Sequence, residues 1–155
     1  MVSQLLLSLE LKFVIGFLFC FIAGFMIGYE RGSHAKPAGV RTHTIVCMGA
    51  MLFTLISDVV DPLSTSRIAA NIIMGIGFVG AGMIIHHKGS IYGVTTAATI
   101  WMAAAIGMAI GFGLYLVSFI ATLLTFVILK MPHIGEHGPP KMGYSGGKEK
   151  TKKKK

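Results

Sequence analysis

Long apolar stretches with almost no charge constrain this chain more than any other feature. Asp58 is the one charged side chain in four apolar blocks, which cover residues 13–29, 44–60, 68–85 and 95–129. A bilayer core takes about 20 helical residues, so the last block is long enough for two crossings. Glycines at positions 111 and 113 mark the turn between them. We therefore predict five transmembrane helices, at 13–29, 44–60, 68–85, 95–110 and 114–129.

The composition favours a membrane protein over a water-soluble domain. The chain is 54% hydrophobic and only 13% charged, whereas a soluble domain carries about 25% charged residues. The predicted fold is an all-α polytopic membrane protein whose helices pack through Gly and Ala faces. We expect an interfacial segment at 1–12, a five-span membrane domain at 13–130 and a basic, disordered cytoplasmic tail at 131–155.

The placement of charge predicts the orientation of the helices. With five spans, twelve of the 14 Lys and Arg residues lie on one side of the bilayer, and Lys12 and Arg67 lie on the other. Cytoplasmic loops carry the excess of positive charge, so the N-terminus is expected outside and the C-terminus in the cytoplasm. The predicted location is the cell membrane, with several passes. Seven lysines lie beyond residue 132, so the basicity does not indicate a nucleic-acid partner.

The stretch GIGFVGAG, residues 75–82, matches the G-x-G-x-x-G fingerprint of dinucleotide-binding proteins. It lies inside an apolar block, and no acidic residue occurs between Asp61 and Glu136 to bind a ribose. Small residues allow helix backbones to approach closely in lipid. We therefore predict helix packing, and a homo-oligomer, at Gly24, Gly28, Gly75, Gly77, Gly80, Gly82, Gly107 and Gly111.

Two groups of polar residues are candidates for function. At the predicted outer surface, Asp58, Asp61 and Asn71 could receive a hard cation such as Mg²⁺. Asp58 is expected on one helical face with Thr44, Cys47, Met51 and Thr54. The alternative is structural: Asp58 pairs with Arg67, and Asp61 caps the third helix ahead of Pro62.

The second group lies at the predicted inner face, in ERGSHAKPAGVRTH, residues 30–43. Glu30 could pair with Arg31 or Arg41, and Pro37 and Gly39 indicate a turn. The alternative is ordinary positive-inside anchoring. The complete candidate cluster is Glu30, Arg31, Lys36, Pro37, Gly39, Arg41, Thr42, His43, Arg67, Thr95 and Thr96.

These motifs occur in one order that resembles the MgtC/SapB family of membrane proteins. The stretch GYERGSHAKPAGVRTHTIVCMGAMLF is followed by RIAANIIMGIGFVGAG and then by GVTTAATIWMAAAIGMAIGFGLY. The resemblance covers about residues 13–129. The chain resembles the short form of the family, without the soluble C-terminal domain of many members. The family positions that it carries are Glu30, Arg31, Lys36, Pro37, Ala38, Gly39, Arg41, Thr42, His43, Arg67, Gly75, Gly77, Phe78, Gly80, Ala81, Gly82, Gly93, Thr95, Thr96, Ala97, Ala98 and Trp101.

The resemblance implies a role in adaptation to low Mg²⁺ and, in pathogens, in survival inside macrophages. The resemblance also implies a partner in the membrane, which is the membrane sector of the F-type ATP synthase. Two functions remain open: a regulator that acts through helix contacts with a partner, and a transporter or channel for Mg²⁺ or another cation. We expect no enzyme, because no Ser or Cys nucleophile has an obvious base and no side-chain cluster has metal spacing. No cofactor is expected, and Mg²⁺ is the one ion considered.

Overall fold

The computed structural model describes residues 2–87 and 90–132 as a mostly helical chain. A short antiparallel hairpin lies between the third and fourth helices, with Ile85 opposite Tyr92. In chain order the elements are α1 (Val2–Ser33), α2 (Val40–Val60), α3 (Thr65–Gly82), β1 (Ile85–His87), β2 (Ser90–Tyr92), α4 (Val94–Gly111) and α5 (Tyr115–Leu129).

All five predicted helices are present, and three are long and apolar enough to cross a membrane. These three stretches are Leu9–Ser33, Val40–Val60 and Val94–Gly111. The other two apolar stretches, Ser66–Gly82 and Tyr115–Leu129, are shorter. At about 1.5 Å per residue, the 15 residues of α5 extend only about 22 Å, which is less than a typical hydrocarbon core of about 30 Å. The number of membrane crossings therefore stays a prediction.

The helix boundaries differ from the predicted ones at several ends: α1 continues to Ser33, α2 begins at Val40 and α3 begins at Thr65. Two further differences have a local cause. Helix α1 continues without a break through residue 12, since no Gly or Pro interrupts residues 2–12. The third helix ends at Gly82 rather than at residue 85, because the amides of Met83 and Ile84 bond to Gly80 and Ala81 in a turn that leads into β1. Most of the predicted tail, residues 133–155, lies outside the described residues.

Helix α2 packs antiparallel to α1 with almost no space between the two backbones. A methyl group added at Gly24 would overlap the backbone of Thr44, and one added at Gly28 would overlap the backbone of Val40. From Gly24 to Gly28 the contact on α2 moves back from Thr44 to Val40, so the two helices run in opposite directions. Glycine is required at both positions because any side chain would separate the helices.

The same buried face of α2 also packs parallel to α4 in this manner. A side chain at Gly107 would meet the carbonyl of Cys47, and one at Gly111 would meet Thr54. Helix α2 therefore lies between α1 and α4, and these three helices enclose the main core. That core is apolar and consists of Cys20, Ala23, Ile27, Cys47, Met51, Ile106 and Ile110.

Helices α3 and α5 lie at the edge of this three-helix unit. Helix α5 buries Ser118, Thr122 and Thr125, whose hydroxyls all donate to carbonyls of their own helix at 2.7 Å. The three hydroxyls therefore find their hydrogen-bond acceptors within α5, and their small side chains let this helix pack closely. Helix α3 buries Ile72 and packs Gly80 against Ala97.

Of the α3 glycines predicted to pack, only Gly80 has a neighbour within one chain. A Cβ added at Gly75, Gly77 or Gly82 would find no atom within 4 Å, whereas Gly24, Gly28, Gly107 and Gly111 lie against neighbouring backbones. The motif supplies small residues along α3, but only the side with Gly80 has a neighbour. The other three glycines lie on exposed parts of the helix.

We predict that Gly24→Ala lowers the free energy of unfolding by about 1–3 kcal/mol, because its methyl group must displace the backbone of Thr44. Gly49→Ala in α2 is the matched control, since its methyl group meets nothing within 4 Å. The control is expected to gain about 0.5–1 kcal/mol through helix propensity. Thermal unfolding in mild detergent measures both changes, and equal stability of the two variants would contradict the packing of α1 on α2.

Candidate functional site

One end of the three-helix unit buries a cluster of polar side chains. The last turn of α1 meets the first turns of α2 and α4 at this end, so Arg31, His43 and Thr96 come together from three helices. The connection from α1 to α2 is a tight turn in which Ala35 has a φ of 52° and the Lys36 amide bonds to the Arg31 carbonyl at 3.1 Å.

The predicted turn at Pro37 and Gly39 is present at this connection. Gly39 is the residue immediately before the first turn of α2, and Ala38 is fully buried beneath the turn. A second glycine defines the start of α4. Gly93 has a φ of +85°, and a Cβ there would overlap the carbonyl of Met83. The start of α4 therefore requires glycine, whereas Gly39 before α2 has an extended backbone, with a φ of −110°, that other residues also adopt.

Arg31 lies inside the protein with a single hydrogen-bond partner among the described residues. Its side chain is 2% exposed, and Nη2 donates to Oγ1 of Thr96 at 3.2 Å. The Thr96 side chain is itself buried in the first turn of α4. A guanidinium has five N–H donors, and the one on Nε of Arg31 is buried without a hydrogen-bond partner among the described residues.

His43 joins α2 to α4. Its Nδ1 lies 2.9 Å from the Gly39 carbonyl, and its Nε2 lies 3.0 Å from Oγ1 of Thr99. Because a carbonyl only accepts, Nδ1 carries a proton. The Thr99 hydroxyl also lies 2.8 Å from the Thr96 carbonyl, so Arg31, Thr96, Thr99 and His43 form one connected chain across the three helices.

Glu30 is paired with His34 rather than with the expected Arg31 or Arg41. Nδ1 of His34 lies 3.1 Å from Oε1 of Glu30 and 2.9 Å from its carbonyl, which also accepts from Ser33 at 2.7 Å. Residues four apart share one side of a helix, whereas adjacent residues diverge. Arg41 is exposed. The expected pairing of Glu30 with an arginine was therefore wrong.

Three buried polar atoms of the described residues have no hydrogen-bond partner: Oε2 of Glu30, Nε of Arg31 and Oγ1 of Thr44. All three residues belong to the adjoining ends of α1 and α2. An unsatisfied buried group costs about 1–3 kcal/mol, and more if it is charged. One carboxylate oxygen, which can accept a hydrogen bond, and one guanidinium N–H, which can donate one, are therefore enclosed without a partner among the described residues.

The predicted outer group does not form the contacts that sequence reasoning expected. Asp58, Arg67 and Asn71 are exposed, and no ion pair joins Asp58 to Arg67 within residues 2–87 and 90–132. Ser57 occupies the buried position at the end of α2, and Asp58 in the same turn is exposed. Asp61 caps the C-terminus of α2, and Ser64 precedes α3 without a side-chain cap. Pro62 lies in the turn between the helices, so Asp61 is too early in the chain to cap α3.

The remaining predicted site residues lie around the buried cluster. Lys36 and Thr42 are half-buried, and Pro37 and Thr95 are exposed. The described residues contain no group of three or more His, Cys, Asp or Glu side chains that could hold a metal ion. Mg²⁺ binding by Asp58, Asp61 and Asn71 stays a prediction.

Sequence reasoning did not select three members of the cluster: His34, Thr44 and Thr99. His34 could have been found from its position four residues after Glu30. Thr44 gives no such signal, because its burial depends on the close approach of Gly24 from another helix.

The fold and the cluster define a class of helical membrane proteins with a buried charged site at one end. A family model described as the MgtC family matches residues 17–135, and this chain belongs to that family. No solved structure matches the chain.

Several curated relatives are similar to the chain over most of its length. "Putative magnesium transporter YhiD" of Escherichia coli (strain K12) is 41% identical over 131 residues, or 79% of this chain and 61% of that protein. "Protein MgtC" of Salmonella typhimurium (strain LT2) is 39% identical over 75% of this chain and 50% of its own length. "Protein MgtC" of Brucella abortus (strain 2308) is 42% identical over 70% and 45%. The chain thus spans about half the length of these relatives.

We predict that Thr96→Val lowers the free energy of unfolding by about 1–3 kcal/mol, because it removes the acceptor for the buried Arg31. Thr95→Val is the matched control, since Thr95 is exposed in the same turn. Its effect is expected within about 0.5 kcal/mol. Thermal unfolding of both variants tests the contact, and a Thr96→Val protein as stable as the control would contradict it.

Proposed function

We propose that this chain is a regulatory membrane protein of Mg²⁺ homeostasis, active in adaptation to low Mg²⁺, that acts by helix contacts with a membrane partner. The observation that carries this proposal is the apolar, closely packed middle of the bundle. Membership of the MgtC family and the names of the relatives support the connection with magnesium.

The middle of the bundle has few polar side chains that could bind a hydrated cation. Between Thr44 and Thr54, the buried side of α2 consists of Cys47, Ala50 and Met51. Gly107 of α4 packs directly against this stretch of α2. Proteins that move ions carry polar or charged groups at membrane depth along the route of the ion. A packed apolar layer favours a protein that acts through its outer surface.

Two of the cavities in the structure are apolar as well. One, of about 130 Å³, lies between α3 and α4 and is lined by Ile73, Ile76, Trp101 and neighbouring apolar residues of α4. The other, of about 30 Å³, is lined mostly by apolar residues of α1 and α5. Neither offers the several oxygen ligands that Mg²⁺ needs.

We propose the following orientation for the five helices. All five cross the cell membrane, the N-terminus lies outside, and the buried cluster lies near the cytoplasmic surface. The excess of Lys and Arg on that side supports this orientation. Helices α1 and α2 run antiparallel and α2 and α4 run parallel, which agrees with alternating crossings. The membrane sector of the F-type ATP synthase is the first partner to test.

A second candidate function is transport of Mg²⁺ or another cation. The observation that favours it is the buried Oε2 of Glu30, which has no partner among the described residues and could bind a cation or a proton. Asp58, Asp61 and Asn71 would then form the outer entrance. Arg31, next to Glu30 and itself buried, opposes cation binding at this point.

We predict that the purified chain in liposomes conducts no Mg²⁺ above the level of empty liposomes, because the middle of the bundle is apolar. A fluorescent Mg²⁺ indicator inside the vesicles measures the flux, and a known Mg²⁺ channel serves as the positive control. Flux that is abolished by Asp58→Asn or Glu30→Gln would replace the regulatory proposal with the transport function.

We also predict that the chain, solubilised in mild detergent from cells grown at low Mg²⁺, recovers a membrane partner. The ATP synthase membrane sector is assayed first, by immunoblot. A cell strain lacking the chain serves as the background control. Recovery of no membrane protein above this background, together with normal growth of the deletion strain at low Mg²⁺, would overturn the proposal.

A further inference from the structure

Three buried sulfur-containing side chains lie where α1 packs on α2. Cys20 of α1 and Cys47 of α2 are free thiols, and both are fully buried. Sγ of Cys20 donates to the Cys47 carbonyl at 3.6 Å, and the two cysteine side chains also hydrogen-bond to one another. Met51, one turn after Cys47, is 1% exposed and belongs to the same core. We call Cys20, Cys47 and Met51 the sulfur cluster.

The close approach of the two helices brings the third sulfur beside the two thiols. Sδ of Met51 lies 3.3 Å from the position of a Cβ at Gly16. Gly16 is one turn before Cys20, so both residues lie on the same side of α1. The Met51 side chain therefore fills the space that Gly16 leaves next to Cys20. Because methionine has three rotatable bonds, its sulfur can turn toward the thiols while both backbones stay in place.

The surroundings of the sulfur cluster determine which ion it could bind. The other core residues are Ala23, Ile27, Ile106 and Ile110, whose side chains contain no oxygen or nitrogen ligand. Mg²⁺ takes oxygen ligands, and a structural Zn²⁺ site almost always has four ligands. Thiolate and thioether sulfurs are the ligands that the soft ion Cu⁺ prefers. Two thiols and a thioether in an apolar core therefore fit Cu⁺ better than the harder ions.

The single charge of Cu⁺ also suits an apolar interior, where an uncompensated charge is costly. Binding replaces the proton of one thiol with the metal ion, and this proton is released to the solvent. The resulting thiolate and Cu⁺ carry no net charge together. The second thiol and the thioether then bind as neutral donors. A divalent ion would require both thiols to lose their protons, and Zn²⁺ would still lack its fourth ligand.

We propose that the sulfur cluster is a Cu⁺ site that links α1 to α2 inside the bundle. Cys20 and Cys47 are the main ligands, and the thioether of Met51 takes the place of a third Cys or His. A bound ion would join the two helices whose backbones already touch at Gly24, so it would stabilise the folded chain. The site is separate from the polar cluster around Arg31. It is independent of whether the protein regulates a partner or moves Mg²⁺.

The first experiment measures Cu⁺ binding to the full chain in mild detergent. Protein purified under reducing, oxygen-free conditions is titrated with Cu⁺ in competition with bicinchoninate, whose coloured complex reports the ion that the protein does not hold. The titration is repeated in excess Mg²⁺. The variants are Cys20→Ala, Cys47→Ala, the chain with both changes, and Met51→Leu. Met74→Leu is the matched control, because Met74 is 73% exposed on α3.

We expect one Cu⁺ per wild-type chain, with or without Mg²⁺, and an affinity at least about tenfold lower in either single cysteine variant. Met51→Leu is expected to bind more weakly than wild type, and Met74→Leu equally well. Helical content by circular dichroism shows whether each variant folds. Wild-type protein that binds no more Cu⁺ than the chain without cysteines would overturn the proposal, because the copper would then be adventitious.

A second experiment identifies the ligands in the wild-type chain, so it does not depend on the folding of any variant. X-ray absorption of the copper-loaded protein distinguishes sulfur from nitrogen and oxygen neighbours. We expect sulfur neighbours alone. Nitrogen or oxygen neighbours would contradict the proposal and would indicate binding at exposed side chains such as His86 and His87. Neither experiment measures Mg²⁺ adaptation, so failure of this site and failure of the proposed function are distinguishable.

Discussion

The closeness of the α2 backbone to both α1 and α4 is the constraint on which the structure depends. In lipid the hydrophobic effect does not drive helices together, so close packing and polar contacts must do so. Gly24 and Gly28 allow one contact, and Gly107 and Gly111 allow the other. Any side chain at these positions would separate the backbones and remove the contacts of the neighbouring residues.

This arrangement also explains where the polar cluster lies. Arg31 can touch Thr96, and His43 can touch Thr99, only because the last turn of α1 and the first turns of α2 and α4 are held together. The cost of enclosing Arg31 and Glu30 is only partly offset, since one atom of each lacks a partner. Buried, partly satisfied charges of this kind are characteristic of functional sites. The apolar layer next to the cluster limits that function to one end of the bundle.

The sequence was sufficient to predict the helices, but it was insufficient to predict which helices pack against one another. Uncharged blocks of suitable length predicted five helices, and Gly39 and Gly113 lie at turns as expected. The same small-residue pattern predicted packing at Gly24 and at Gly75, yet only Gly24 has a neighbour within the chain. A motif on one helix does not reveal which side another helix covers. The partner of Glu30 was missed for a local reason, because His34 four residues later was not weighed against the nearby arginines.

Magic-angle-spinning NMR of the chain in lipid bilayers, with ¹³C-labelled glycine and threonine, tests the packing of α2 most directly. The account predicts through-space correlations between Gly24 and Thr44 and between Gly111 and Thr54, because these residues touch across helices. Gly49 and Gly75 have no neighbour at the Cβ position and serve as controls within the same spectrum. Detection of sequential correlations without the Gly24–Thr44 and Gly111–Thr54 pairs would contradict the central position of α2.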